Sequence, residues 1–234
     1  STVNAIIGDQ ALETGLHVTT PPAHEVQMYL AKMVENGLTH AVLEATSHGL
    51  AQGRVDGVDF DVVVLTNVTH EHLDFHGTWE QYRRDKARLF RMAATSYRKP
   101  GVPKAAVINA GDPSADLFRQ MAEGVDTILT YALDPVGPVD ARAEKIRYGP
   151  DSTRFIVAGP GTMRQQVETR LVGAFNVLNA LAAATASSAL LGDDVERLRT
   201  AVVDGIRAVP LIPGRMERID EGQDFLAIVD FAHT

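Results

Sequence analysis

Val62-Val63-Val64-Leu65 constrains this chain more than any other stretch. Every position is apolar, so the strand it predicts must be covered on both faces. That condition is met inside a parallel sheet with helices above and below it. The surrounding sequence supplies such helices. Val26, Tyr29, Leu30, Met33 and Val34 recur at helical spacing after Thr20-Pro21-Pro22, a hydroxyl cap ahead of proline, and Gly37 is the stop. Thr78 with Gln81 predicts a capping box for another helix, whose apolar face is Trp79, Tyr82, Leu89, Phe90 and Ala93. Further strands are expected at residues 41–43, 105–108 and 126–131, with Asn109-Ala110-Gly111-Asp112-Pro113 as a turn into a helix. Strand and helix alternate over the first 131 residues, which predicts an α/β fold with a mostly parallel sheet.

The pattern changes between residues 139 and 171. Alternation at 141–148, 154–157 and 163–171, with turns at Gly149-Pro150-Asp151 and Gly159-Pro160-Gly161, predicts a small antiparallel side sheet or rim. An alanine-rich helix at 173–191, a shorter one at 194–206 and strands at 216–219 and 225–231 complete the chain. Both ends read as strands that have been cut, so a piece of a longer protein is expected.

Composition narrows the chemistry. The 234 residues contain no cysteine, which excludes thiol nucleophiles, zinc ribbons and iron–sulfur ligation and fits a reducing compartment. A net charge of -8 argues against non-specific nucleic-acid binding. The least charged helix, 171–191, carries Asn176, Asn179, Thr185, Ser187 and Ser188, so no membrane insertion is expected. Neither a GxxxxGK[ST] nor a GxGxxG phosphate loop is present.

Ligands of an open parallel sheet bind beyond the carboxyl ends of its strands. Glu44, Thr66-Asn67 and Asp230 are expected there. Four of the eight histidines fall between His48 and His76, near several carboxylates. That outlines a metal or phosphate site, or a polar loop with internally bonded histidines. Lys86 shares the helical face of Tyr82, Leu89, Phe90 and Ala93, so it interrupts an apolar stripe. It either snorkels at the rim or points into the site, where it pairs with phosphate or is modified. Asn176 and Asn179 share a face near a helix start, which favours anions or simple capping. Arg215 follows a stiff proline loop, as a surface residue or a phosphate contact.

Several separated blocks together resemble the central domain of the Mur ligases, on the branch that adds a diamino acid. They are Thr19-Thr20-Pro21; Glu44-Ala45-Thr46-Ser47-His48-Gly49 continuing to Arg54; and Thr66-Asn67 through His72-Leu73-Asp74-Phe75-His76-Gly77. Gly173-Ala174-Phe175-Asn176, Pro213-Gly214-Arg215-Met216-Glu217 and Val229-Asp230-Phe231-Ala232-His233-Thr234 follow in the same order. Glu71, Phe75, Phe231 and Thr46 are mild departures from the family pattern.

The resemblance implies a P-loop-NTPase-like central domain over residues 1–234 that lacks its phosphate-loop segment, with an antiparallel subregion at 139–171. It implies ATP and Mg2+ as cofactors, with Glu44, His72 and a carbamylated Lys86 as metal ligands and catalytic residues. Thr19, Thr20, Thr46, Ser47 and Arg54 are then substrate-binding, and Asn176, Arg215 and Asp230 nucleotide-binding. The implied reaction is cytoplasmic peptidoglycan precursor synthesis. ATP phosphorylates the terminal carboxylate of UDP-MurNAc-L-Ala-D-Glu, and a diamino acid attacks the acyl phosphate. The partners are UDP-MurNAc-dipeptide, the diamino acid and the missing N- and C-terminal domains, and this fragment alone is expected to be inactive. A folylpolyglutamate or cyanophycin-type ligase, a silent binding module and a metal hydrolase are the alternatives.

Overall fold

The structure is a computed structural model that describes residues 4–8, 10–13, 19–69, 73–160, 163–192 and 194–230. Its centre is a six-stranded sheet in sequential order: β3 (Val62–Leu65), β4 (Ala105–Asn109), β5 (Thr127–Ala132), β6 (Ala141–Tyr148), β7 (Thr153–Ala158) and β8 (Arg164–Thr169). Strands β3 to β6 pair in parallel, with Leu65 opposite Ile108 and Asn109 opposite Tyr131. The pairs β6–β7 and β7–β8 are antiparallel. The expected meander therefore forms as a rim that extends the parallel strands edge to edge. The turn at Gly159-Pro160-Gly161 lies partly outside the described residues.

The valine run divides its side chains between two cores, as a strand of period two must. Val63 and Leu65 face α4 (Trp79–Thr95) and α5 (Ala115–Met121), packing with Tyr82, Phe90 and Phe118. Val62 and Val64 face the opposite layer, α6 (Ala174–Leu191) and α7 (Val195–Ala208), with Val177, Leu181 and Val202. By length and composition α6 is apolar enough to cross a membrane. It is instead the central helix of this core, with Asn176, Val177, Leu181, Ala182, Ala184, Thr185 and Ser188 buried.

Two antiparallel ribbons lie outside the main sheet: β1 (Asn4–Ile7) with β2 (Gln10–Glu13), and β9 (Glu217–Ile219) with β10 (Ala227–Val229). The remaining helices are α1 (Ala23–Glu35), α2 (Ser47–Ala51) and α3 (Leu73–His76). Residue 231 of the expected last strand, and 232–234 after it, lie outside the described residues.

Four local expectations need correction. Residues 41–43 form no strand: the segment 38–46 is irregular, and Val42 is exposed. Apolarity alone does not make a strand without a neighbouring ladder. Thr20 does not cap α1, whose N-cap is Pro22; its hydroxyl turns instead to the Glu44 carbonyl and to Thr46. The capping box at Thr78 is half made. Thr78 Oγ1 accepts from Gln81 N at 3.1 Å, but the Gln81 amide reaches Asp85 instead. Finally, β10 ends in a separate ribbon, so Asp230 is not at the carboxyl edge of the main sheet.

Ion pairs stitch the sheet's surface. Arg164 and Arg142 both reach Glu144, and the hydrogen bond from Arg164 does most to hold that carboxyl below its ordinary value of 4.5. Asp126 is held below 3.8, chiefly by the Lys104 backbone N–H and then by Arg98. Both folded values lie below the unfolded ones. The stabilisation is therefore complete above the ordinary carboxylate range and is lost as pH falls through the folded values. Stability should begin to drop below about pH 4. Glu144→Gln should flatten that acid slope, as urea unfolding at several pH values would show. An unchanged slope would remove Glu144 from the account.

Candidate functional site

Beyond β3 the chain turns through Thr66-Asn67-Val68, and side chains from β4, the loop after it and β5 hold that end of the strand. Asn109 Nδ2 donates to the Thr66 carbonyl at 2.7 Å. Val68 N donates to Asp112 Oδ2 at 2.5 Å. Tyr131 Oη donates to the Leu65 carbonyl at 2.8 Å. Burial, with the Asp112 charge as a smaller cause, pushes the Tyr131 phenol up, so it stays a neutral donor. The parallel register brings these groups to one end of the sheet.

Lys86 sits over the same end. Its Nζ lies 3.4 Å from the Asn67 carbonyl and 4.9 Å from the centre of the Tyr82 ring. It lines a small cleft of about 70 Å³ with Ala45, Thr66 and Asn67. The lysine is neither fully buried nor splayed into solvent, and its tip reaches the polar end of the cleft while its stem follows apolar residues. Glu44 is the residue before Ala45, so its segment and Lys86 border one cleft. His72 lies outside the described residues. Among the described residues, no three His, Asp or Glu side chains gather closely enough to hold a metal ion.

The segment after Glu44 is fixed from within. Thr20 Oγ1 donates to the Glu44 carbonyl at 2.9 Å and lies 3.1 Å from Thr46 Oγ1, while Thr46 N donates to Thr20 Oγ1 at 2.9 Å. Thr46 Oγ1 caps α2 by accepting from Gly49 N. Arg54 Nη1 donates to the Thr20 carbonyl at 2.6 Å. A Cβ on Gly49 would stand 2.7 Å from Thr20 Cβ, so glycine allows this close approach. Of the residues expected to meet substrate, Thr20, Thr46 and Arg54 form one network and Ser47 is buried beside it. Thr19 is half-buried.

A second cleft, of about 150 Å³, gathers Asn176, Arg215, Arg170 and Arg218, with Leu171, Pro210 and Leu211 as apolar walls. The two asparagines of α6 part company. Asn176 is buried and donates from Nδ2 to the Val172 carbonyl at 2.8 Å, whereas Asn179 is exposed. Asp230 joins this region by accepting from Met216 N at 2.8 Å. That bond steadies Met216, a non-glycine residue at φ 49°. Arg218 already pairs with Asp151 at 2.5 Å, so Arg215 and Arg170 beside a partly apolar wall are the groups that suit a phosphorylated ligand, and the donor set is compatible with a nucleotide. No local sequence pattern marks Arg170 or Arg218 as site residues, and Asn109 and Asp112 are marked only as part of the Asn109–Pro113 turn.

The Mur ligase middle domain family matches residues 1–187. A UDP-N-acetylmuramyl-tripeptide synthetase of Roseiflexus sp. (strain RS-1) is 46% identical, covering 100% of this chain and 45% of its own length. A UDP-N-acetylmuramoyl-L-alanyl-D-glutamate--2,6-diaminopimelate ligase of Geobacillus kaustophilus is 40% identical, again over 100% of this chain and 45% of its own length. A solved structure of a ligase with the latter name superimposes with a TM-score of 0.74 at 34% identity, covering 99% of this chain and 45% of that one. The chain thus spans somewhat under half of these relatives, and it belongs to the Mur ligase family, as a middle domain.

Proposed function

We propose that this chain is the central, ATP-binding part of an amide ligase that adds a diamino acid to UDP-MurNAc-L-Ala-D-Glu through an acyl phosphate. The observation that carries the proposal is identity of 46% over the whole chain with a tripeptide synthetase, with no region left unmatched. The amino acid in the second relative's name, 2,6-diaminopimelate, is the first candidate amine.

In this reading Arg215 and Arg170 bind the nucleotide's phosphates, Asn176 shapes the slot and Asp230 meets the ribose. The Thr20–Thr46–Arg54 network, with Thr19 and Ser47, presents a rigid polar wall to the UDP-sugar. Lys86 and Glu44 face the reacting groups beyond β3. Mg2+ would be held by Glu44, with His72 and a carbamylated Lys86 as the family resemblance implies, and would screen charge on the phosphates. The phosphate loop and the residues that select the amine would come from the remaining length that relatives of this kind possess. The reaction would be cytoplasmic, where its nucleotide substrates are made.

An ADP-release assay on the full-length protein tests this. Release should require ATP, UDP-MurNAc-dipeptide and one diamino acid together, and residues 1–234 alone should give none. Turnover without ATP would replace the ligase reading with a hydrolase, and indifference to both magnesium and nucleotide would leave a binding module.

A further inference from the structure

The ring of His76 is enclosed, and its two nitrogens have sharply different surroundings. Its side chain is 1% exposed. Nδ1 lies 2.7 Å from Asp85 Oδ2. Nε2 is buried and has no hydrogen-bond partner among the described residues. A buried nitrogen left without a partner is destabilising, and an apolar ring such as phenylalanine would avoid that cost. The polar return at this position is the bond to Asp85, which selects the Nδ1–H form of the ring.

That bond sits among the pieces of the site. Asp85 immediately precedes Lys86 on α4, and its other oxygen accepts from Gln81 at 2.8 Å. The His76 ring contacts His48 of α2 at 5.2 Å between centres and Tyr82 of α4 at 5.2 Å. Tyr82 is also the ring beneath Lys86 Nζ. Arg88, a turn further along α4, donates to the Leu50 carbonyl of α2. Elements α2, α3 and α4 therefore meet around one imidazole; α4 carries Lys86, and α2 begins three residues after Glu44.

We infer that His76 is a positioning residue for the ligase reaction: its Nδ1–Asp85 bond sets the turn of α4 that carries Lys86 against the segment that carries Glu44. This rests on the ligase reading. A displacement of about 1 Å at a reacting group can cost about a hundredfold in rate.

The test uses four variants of the full-length protein, read by steady-state ADP release and thermal unfolding. H76F keeps an aromatic ring, somewhat larger than imidazole, and removes the orphan; its unfolding midpoint shows that the protein still folds. Its kcat should fall tenfold to about a hundredfold, with the KM for ATP little changed. H76N, whose amide nitrogen can take the place of Nδ1, should recover most of that loss. H76Q, whose amide lies nearer the place of Nε2, should not. Adding D85A to H76F should cost no further activity, because both remove one bond. An active H76F would overturn the inference, and so would recovery by H76Q in place of H76N, which would assign the role to Nε2. A wild-type protein that releases no ADP would overturn the ligase reading itself and the role with it.

Discussion

Replacing Lys86 by alanine in the full-length protein is expected to cut ADP release by about a thousandfold while nucleotide still binds. Removing one preorganised group that stabilises transferring charge costs about 10²–10³ in rate. In the proposed reading Lys86 is such a group; it borders one cleft with Ala45, Thr66 and Asn67. The basic cleft around Arg215 is built from other residues, so affinity for the nucleotide should survive. Lys86→Arg separates two accounts of the lysine. The Asn67 carbonyl at 3.4 Å and the Tyr82 ring at 4.9 Å suit an ammonium. A carbamate would reverse the charge of the tip and exchange those partners for a cation. Arginine keeps the positive charge but cannot be carbamylated in lysine's manner. The expected result is that K86R is as inactive as K86A, and that the wild type shows a carbamate carbon signal when supplied with ¹³C-bicarbonate. Substantial activity in K86R would remove the carbamate and leave a cationic contact to phosphate.

The same lysine shows how far sequence reasoning reaches. Its place on the stripe of Tyr82, Phe90 and Ala93 is a matter of helical period, so its inward direction is readable from spacing alone. The valine run is readable for a similar reason, because a strand apolar at every position has few places to go. Residues 41–43 look equally apolar and yet form no strand. What decides is the presence of a hydrogen-bonding neighbour, and no local pattern reports that. Asn176 and Asn179 look like a matched pair three residues apart. Only the packing of Pro210 and Leu211 near α6 makes one a cleft residue and leaves the other in solvent. The His76–Asp85 bond spans nine positions and a change of helix, which no helical or strand period predicts. The family blocks name residues in order along the chain. They do not say that Thr20, Thr46 and Arg54 spend their polar groups on one another.

Asp112 is where stability and the site are most tightly joined, and Asp112→Ala is expected to show it. The carboxylate is 8% exposed and accepts two backbone N–H groups, from Val68 at 2.5 Å and from Ser114 at 2.7 Å. Bonds of this kind to a charged acceptor are stronger than neutral ones. Alanine would leave two buried donors unpaired, at about 1–3 kcal/mol each. Partial relaxation of the turn should limit the total to about 2–4 kcal/mol, because contributions within one network do not simply add. For a domain of this size that corresponds to a fall of about 5–15 °C in the unfolding midpoint. Asp112→Asn keeps one acceptor and should lose about half as much. The loss should not be confined to stability. Val68 N is the anchor of the Thr66–Val68 turn on the β4 side, and the Asn67 carbonyl in that turn faces Lys86. At a temperature where D112A is still folded, its kcat should therefore be reduced more than its KM for ATP. A midpoint within about 2 °C of wild type would mean that these bonds contribute nothing net. A normal kcat in a destabilised D112A would mean that the turn finds its place without them.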